Sequence, residues 1–278
     1  MAAASAAGGL RLGLGGIAAV VVVGLLFGKK SPMEMLALVS SLQHGAPTQQ
    51  HAPATRTPAA GSSDNDQTVG KVKRVLGDTE DTWQQIFQAS GRSYQPPRLV
   101  LFRGGVSSGC GFTGSEVGPF YCPADQKVYL DLGFFDELKQ RFGAPGEFAQ
   151  AYVIAHEVGH HVQNLLGISD KVNRRMQQLN SSGRNALSVR LELQADCFAG
   201  VWGHSAAQRH LINAAEMQQA LVAANAIGDD TLQKNAGRNV TPDAFTHGTS
   251  AQRQHWFQVG LDSGSVDACN TFVRKPAQ

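Results

Sequence analysis

Apolar and polar positions divide the chain into three parts with different patterns. Residues 12–28 form a charge-free, mostly apolar run of 17 residues, about the minimum length of a membrane-spanning helix. Residues 45–67 are rich in Ala, Pro, Thr, Ser and Gln without an apolar period, as is typical of a flexible linker. Regular periodicity begins near Thr68. We therefore predict a signal anchor or transmembrane helix over 1–30, a linker over 31–67 and a folded domain over 68–278.

Helical spacing of apolar residues dominates the folded domain. It predicts helices over residues 69–90, 134–142, 145–166, 185–207 and 214–227. Gly77 interrupts the first pattern, where Asp78 could cap a second helix. Short apolar runs at 99–102 and 128–131 predict strands. Two strands followed by helices favour an α+β fold, mainly helical with a small β-sheet, over a doubly wound parallel sheet.

The N-terminal apolar run is flanked by Arg11 on one side and by Lys29 and Lys30 on the other. A cleaved signal peptide and a buried core helix are the alternatives to a membrane anchor. No small-residue cleavage site follows the run, which favours an uncleaved single transmembrane helix. Because basic residues lie on both sides, the positive-inside rule leaves the orientation open.

Net charge and cysteine content exclude some classes of protein. Lys and Arg number 24 against 22 Asp and Glu, a net charge of +2, which argues against a strongly basic nucleic-acid-binding protein. We predict no nucleic-acid partner. Four cysteines are too few for a disulfide scaffold, but their even number allows two bridges. We predict Cys110–Cys122 and Cys197–Cys269, with the domain on the oxidising side of the membrane, where disulfides persist.

An H-E-x-x-H motif begins at His156 and ends at His160, within the predicted helix 145–166. The two histidines lie one turn apart on one helix face, so both imidazoles can bind a single zinc ion. Glu157 is placed to take a proton from a metal-activated water. Gly159 is costly inside a helix and indicates close approach by another element. The alternative is a pair of histidines on an ordinary amphipathic helix.

A third ligand has to come from elsewhere in the chain. The positions that would complete a metzincin motif hold Gln163 and Leu166, which excludes that class. The downstream glutamates are Glu192 and Glu216, and Glu192 shares a helix face with Asp196. We predict Glu192 as the third zinc ligand and Asp196 as the acceptor of a ligand histidine's other ring N–H. A solvated acidic helix face is the alternative.

One late polar loop, residues 246–250, supplies a further candidate. His247 in this loop could donate a hydrogen bond to a developing oxyanion during catalysis. The alternative is that the loop only starts a helix capped by Thr249 or Ser250. His161 adjoins a ligand but points about 100° away from it on the helix, so it is not predicted to bind the metal.

The runs H-E-V-G-H-H-V-Q at 156–163 and E-L-Q-A-D-C-F-A-G at 192–200 resemble the bacterial neutral zinc metallopeptidase family of membrane-anchored proteins. Further similar stretches lie at 118–125, 128–131 and 246–253, and the resemblance covers 68–272 together with the apolar anchor. It implies a zincin-like fold, one zinc ion, a gluzincin-like ligand order with Glu192 before Asp196, and a location at the cell envelope. The basic residues on both sides of the anchor depart from the family pattern.

Two function classes remain open. The first is a zinc-dependent peptidase, a single-pass protein of the bacterial inner membrane whose periplasmic domain hydrolyses peptide or protein substrates. The second is a non-catalytic zinc-binding scaffold of the envelope, which would have no use for a base at Glu157. An intramembrane protease is excluded because the helix around His156 is not an apolar run of membrane length.

Overall fold

The computed structural model of the chain describes residues 62–114, 118–140 and 147–273. The predicted anchor over 1–30 lies outside these residues, as does the predicted linker up to residue 61. Within the described ranges, no helix has both the length and the apolar character needed to cross a membrane.

Helices make up most of the described chain, and the strands are short. The helices are α1 Ser62–Ala89, α2 Leu132–Gln140, α3 Glu147–Leu165, α4 Ile168–Met176, α5 Ser181–Gln208, α6 Ala214–Ala226, α7 Asp229–Asn235 and α8 Ser250–Ser263. The strands are β1 Arg98–Phe102, β2 Gly105–Ser108, β3 Gly111–Gly114, β4 Phe120–Cys122 and β5 Lys127–Asp131. Short 3-10 turns occupy Pro242–Ala244 and Val266–Cys269. This composition confirms the predicted α+β class for the described residues.

The first helix, α1, is continuous and begins at Ser62, so residues 62–67, predicted as linker, are helical. Gly77 does not interrupt it. An interior glycine costs a helix about 1 kcal/mol, whereas burying a large apolar side chain contributes about 1.5–3 kcal/mol. Val72 and Trp83, on either side of Gly77, are both buried in the core, and their packing outweighs the local preference.

Asp78 does not cap a second helix, and that prediction is wrong. Its carboxylate accepts hydrogen bonds from Trp202 Nε1 at 2.7 Å and from Arg209 Nη2 at 3.0 Å. Trp202 lies on α5 and Arg209 is the residue directly after its C-terminal end, so Asp78 joins α1 to the helix that also carries Glu192.

The sheet is small and mixed, with strand order β1-β5-β4. The two predicted strands pair in parallel, with Leu99 opposite Val128, and β4 adds to β5 in the antiparallel sense. Strands β2 and β3 form a separate antiparallel hairpin. The sequence pattern did not predict this hairpin because it is short and rich in Gly and Ser.

Both predicted cysteine pairs are disulfide-bonded in the structure, Cys110–Cys122 across 12 residues and Cys197–Cys269 across 72. In the chain-entropy model, closing loops of these lengths stabilises the fold by about 3 and about 4 kcal/mol. The first bond joins the turn of the β2–β3 hairpin to β4. The second fastens the segment after α8 to α5.

Helices α3 and α5 approach each other closely at Gly159. A Cβ atom there would lie 2.9 Å from the carbonyl oxygen of Ala195, so any larger residue would push the helices apart. The predicted close approach at Gly159 is confirmed. On the other side of α5, Gly260 of α8 lies against the Cys197 carbonyl and leaves no room for a side chain. These contacts bring the carboxylates of α5 within reach of the histidines of α3.

Candidate metal centre

Three of the predicted site residues converge where α3 meets α5. His156 and His160 project from α3, with their ring centroids 4.8 Å apart, and Glu192 faces them from α5. One potential ligand atom from each of the three residues lies within 4.8 Å of the other two. In the described part of the chain this is the one group of such residues with the spacing of a metal site.

Each histidine Nε2 lies about one ligand-to-ligand distance from an oxygen of Glu192. Glu192 Oε2 lies 3.2 Å from His156 Nε2, and Glu192 Oε1 lies 3.5 Å from His160 Nε2. Two bonds of about 2.0–2.1 Å that meet at about 109° place their donor atoms about 3.4 Å apart. Two imidazoles and one carboxylate are also the donor set of catalytic zinc sites, which leave a fourth position for water or substrate. The residues present therefore fit zinc.

Asp196 holds the first histidine from the side opposite Glu192. His156 Nδ1 donates to Asp196 Oδ1 at 2.8 Å. The same carboxylate accepts hydrogen bonds from Tyr152 Oη at 2.5 Å and from Arg253 Nε at 2.9 Å. Burial opposes ionisation of Asp196, but Arg253 and His156 outweigh it and lower its pKa to about 2. Asp196 thus has the predicted contact with His156, a candidate metal ligand, and it lies outside the three-residue cluster.

The second histidine is held in a comparable way, since His160 Nδ1 lies 2.9 Å from Gln163 Oε1. With an acceptor at the Nδ1 atom of each ring, the Nε2 atoms of His156 and His160 keep their lone pairs for a metal.

The electrostatics of the cluster favour a cation. Burial opposes charge on both histidines, but the neighbouring carboxylates outweigh it, raising the pKa of His156 to about 10 and raising that of His160 as well. Burial also opposes ionisation of Glu192, yet the two histidines hold its pKa well below its usual range. The pocket stabilises positive charge, whether protons or a metal ion supply it.

Glu157 lies beside this cluster with its carboxylate uncommitted. It is 7% exposed, and within the described ranges its side chain forms neither a hydrogen bond nor an ion pair. Burial raises its pKa, and the two neighbouring histidines act in the opposite direction. Its carboxylate oxygens are not among the fully buried, unpartnered polar atoms of the described residues, so they remain open to a water molecule and free to accept its proton.

His247 lies outside the three-donor cluster, and its imidazole interacts electrostatically with Glu192. Its Nδ1 lies 3.1 Å from Asp229 Oδ1. Asp229 Oδ2 accepts hydrogen bonds from the backbone N–H groups of Thr246, His247 and Gly248 at 2.7–3.0 Å. Burial lowers the pKa of His247, but Asp229 and Glu192 together raise it. The loop is thus built around one carboxylate that fixes the histidine.

The loop also starts a helix, as the alternative interpretation expected. Thr249 caps α8 in a capping box with Gln252. Helix capping by Thr249 does not conflict with a catalytic role for His247, because the two functions use different residues of the loop.

His161 points away from the cluster, as its position on the helix predicted. It is buried, with Nε2 2.6 Å from the carbonyl oxygen of Gln95 and Nδ1 3.1 Å from Tyr121 Oη. Burial lowers its pKa, so it serves as a neutral hydrogen-bonding residue between α3 and the sheet.

Sequence reasoning missed four residues that support the site. They are Tyr152 and Arg253 around Asp196, Gln163 beside His160, and Asp229 beside His247. Arg253 and Gln163 lie in stretches, 246–253 and 156–163, that did stand out as similar to the family. Tyr152 and Asp229 lie outside those stretches, and their roles depend on contacts between distant segments.

Comparison with known proteins agrees with this geometry. Residues 2–272 match the family described as "Putative neutral zinc metallopeptidase". The chain belongs to this family. The uncharacterized protein YpfJ of Escherichia coli K12 is 54% identical over 211 residues, covering 76% of this chain and 74% of its own. The uncharacterized protein Rv2575 of Mycobacterium tuberculosis H37Rv is 45% identical over 190 residues, covering 64% of this chain and 63% of its own. No solved structure matches the chain.

The family resemblance inferred from the motifs is therefore confirmed. The neutral zinc metallopeptidase description names a metal and a class of reaction, whereas the names of the two relatives specify neither.

Proposed function

We propose that this chain is a zinc-dependent peptidase that hydrolyses peptide bonds with a metal-activated water at the cell envelope. The observation that carries the proposal is Glu157, whose carboxylate forms no hydrogen bond among the described residues and lies beside three convergent candidate metal donors. A purely structural zinc site is normally closed by four protein ligands and needs no base. The substrate would be a peptide or protein.

In this proposal His156, His160 and Glu192 hold one zinc ion. When bound there, zinc would polarise the peptide carbonyl and make water a nucleophile near neutral pH. Glu157 accepts the proton of the attacking water at a carboxylate oxygen and passes it to the nitrogen of the leaving amine.

Asp196 and His247 have supporting roles in the same reaction. Asp196, fixed by Arg253 and Tyr152, keeps the His156 Nδ1–H in place, so that Nε2 stays available. In its protonated form, which Asp229 and Glu192 favour, His247 donates from Nδ1 to Asp229 and from Nε2 to the carbonyl oxygen as negative charge develops on that oxygen.

The experiment that tests the function uses the full chain purified in a mild non-ionic detergent. We expect about one zinc ion per chain, hydrolysis of a denatured protein substrate, loss of hydrolysis with a zinc chelator and recovery on adding zinc. A preparation that holds its zinc yet cleaves none of a broad set of peptides would favour the scaffold instead. Hydrolysis that persists after complete removal of zinc would contradict the mechanism.

For His247, we expect the His247→Ala variant to lower kcat for peptide hydrolysis by about 100-fold or more with unchanged zinc content, since a lost oxyanion donor typically costs that much. Asp229→Asn should lower kcat less, because the loop keeps its histidine but loses the charge that supports it. Steady-state kinetics and metal analysis on both variants check this. If kcat were unchanged in His247→Ala, the only remaining role of the loop would be to cap α8.

We further propose a single-pass protein of the bacterial inner membrane, with an anchor over 1–30, a linker after it and the zinc-binding domain on the periplasmic side. The two disulfides support this location, since such bonds persist outside the cytosol. We expect no free thiol in protein whose thiols are alkylated in intact cells before lysis, and four after denaturation and reduction. Four free thiols before reduction would place the domain in the cytosol.

A further inference from the structure

The two candidate ligand histidines are held at Nδ1 by chemically different partners. His156 faces the carboxylate of Asp196, which is paired with Arg253. His160 faces Oε1 of Gln163 at 2.9 Å, the neutral amide of a residue one turn further along α3. Gln163 is 0% exposed, so its amide has to find its hydrogen-bonding partners inside the protein.

The orientation of the Gln163 amide is fixed by a chain of acceptors. Its Nε2 donates to the carbonyl oxygen of Leu191 at 2.7 Å and to Oε1 of Gln194 at 3.2 Å. Gln194 is oriented in turn, because its own Nε2 donates to the carbonyl oxygen of Cys269 at 3.0 Å. Backbone carbonyls only accept hydrogen bonds, so both amide nitrogens have to face them. Gln163 Oε1 is left facing His160.

This orientation determines which nitrogen of His160 carries the proton in the neutral ring. An amide oxygen only accepts, so Nδ1 has to be the donor and Nε2 keeps its lone pair. That lone pair belongs to the atom 3.5 Å from Glu192 Oε1. If the Gln163 amide were reversed, its oxygen would face two acceptors, and its NH₂ group would favour the tautomer with the proton on Nε2. A metal could not bind there.

We propose that Gln163 is a positioning residue that sets the tautomer and ring orientation of His160, and that Gln194 and the Cys269 carbonyl keep Gln163 in that orientation. The inference deepens the proposed function and rests on it in one respect, namely that His160 is a zinc ligand. Cys269 is disulfide-bonded to Cys197 on α5, so this bond helps to hold the Cys269 carbonyl in place for Gln194.

The test measures zinc affinity of the full chain by competition with a chromophoric chelator. We expect Gln163→Met to bind zinc about 10–100-fold more weakly than wild type, the usual cost of losing the partner of a ligand histidine. Gln163→Glu keeps an acceptor facing His160 but loses the amide donors to Leu191 and Gln194. Gln163→Glu should therefore bind zinc more tightly than Gln163→Met, even though its metal-free form should be no more stable than that of Gln163→Met.

Two further measurements separate positioning from general structural damage. Gln233→Met is the matched control, because Gln233 is also a buried glutamine with a hydrogen bond to backbone, and it should leave zinc affinity unchanged. In zinc-loaded wild-type protein with ¹⁵N-labelled histidine, NMR should show His160 with its proton on Nδ1. Gln163→Glu should keep that signature.

Distinct results overturn this inference and the proposed function. Equal zinc affinity in wild type and Gln163→Met, or zinc affinity that falls in step with stability across all the variants, would give Gln163 a structural role only. A His160 proton on Nε2 would also overturn the inference. Zinc binding that follows the expected order in a protein without peptidase activity would leave Gln163 as a positioning residue and refute the enzyme.

Discussion

Glu157→Gln is expected to lower kcat for peptide hydrolysis by at least about 100-fold while the protein keeps its zinc, because general acid–base catalysis typically contributes 10²–10⁴-fold. A neutral amide cannot accept a proton from water or deliver one to the leaving amine. Zinc content should not fall, since Glu157 is not among the three residues whose donor atoms converge. Metal analysis and steady-state kinetics on the same preparation measure both quantities.

Glu147→Gln is the matched control for this substitution. Glu147 lies at the start of the same helix, is exposed, and pairs with Lys71 at the surface, an interaction of the kind that contributes little to stability. The control should keep both zinc and activity. If Glu157→Gln turned over substrate as fast as the Glu147→Gln control, Glu157 would not be the base, and the main support for a peptidase over a scaffold would be lost.

The parts of the fold that sequence predicted are those set by local pattern. Helix α3 and the shared face of His156 and His160 follow from helical periodicity, which depends on neighbours a few residues away. Gly159 likewise indicated a close contact before its partner, Ala195, was known. The continuous α1 was not predicted, because Gly77 is locally unfavourable and only the packing of Val72 and Trp83 outweighs it.

The parts of the site that sequence missed depend on segments far apart in the chain. Arg253 reaches Asp196 across 57 residues, and Gln194 reaches Cys269 across 75. Nothing in the local pattern of Arg253 predicts a buried guanidinium. Gln163 was noted at the end of the family-like run 156–163 and at a position where another peptidase class would have glycine, but not as the partner of His160. A single sequence therefore indicates candidate metal donors better than the residues that hold them.

Glu192→Ala is expected to abolish stable zinc binding, because it removes one of the three donors and leaves two histidines on α3. Asp196→Asn should behave differently. It should retain zinc with an affinity lower by about 10–100-fold, as expected when a residue that orients a ligand is changed. It should also lower the free energy of unfolding by about 3–5 kcal/mol, because the buried Arg253 loses its charged partner.

Chelator competition measures zinc affinity, and urea denaturation of the metal-free proteins measures stability. Together they separate the two roles, since Glu192 acts mainly on the metal and Asp196 on both the metal and the fold. Glu216→Ala is the control, because Glu216 is the other glutamate downstream of the motif and serves a capping box at the start of α6. It should keep wild-type zinc affinity. If Asp196→Asn lost its zinc while Glu192→Ala bound zinc as tightly as wild type, Asp196 would be the zinc ligand and Glu192 the residue that orients a histidine. In that case the 3.2 Å contact between Glu192 and His156 would be an ordinary ion pair rather than the spacing of two metal ligands.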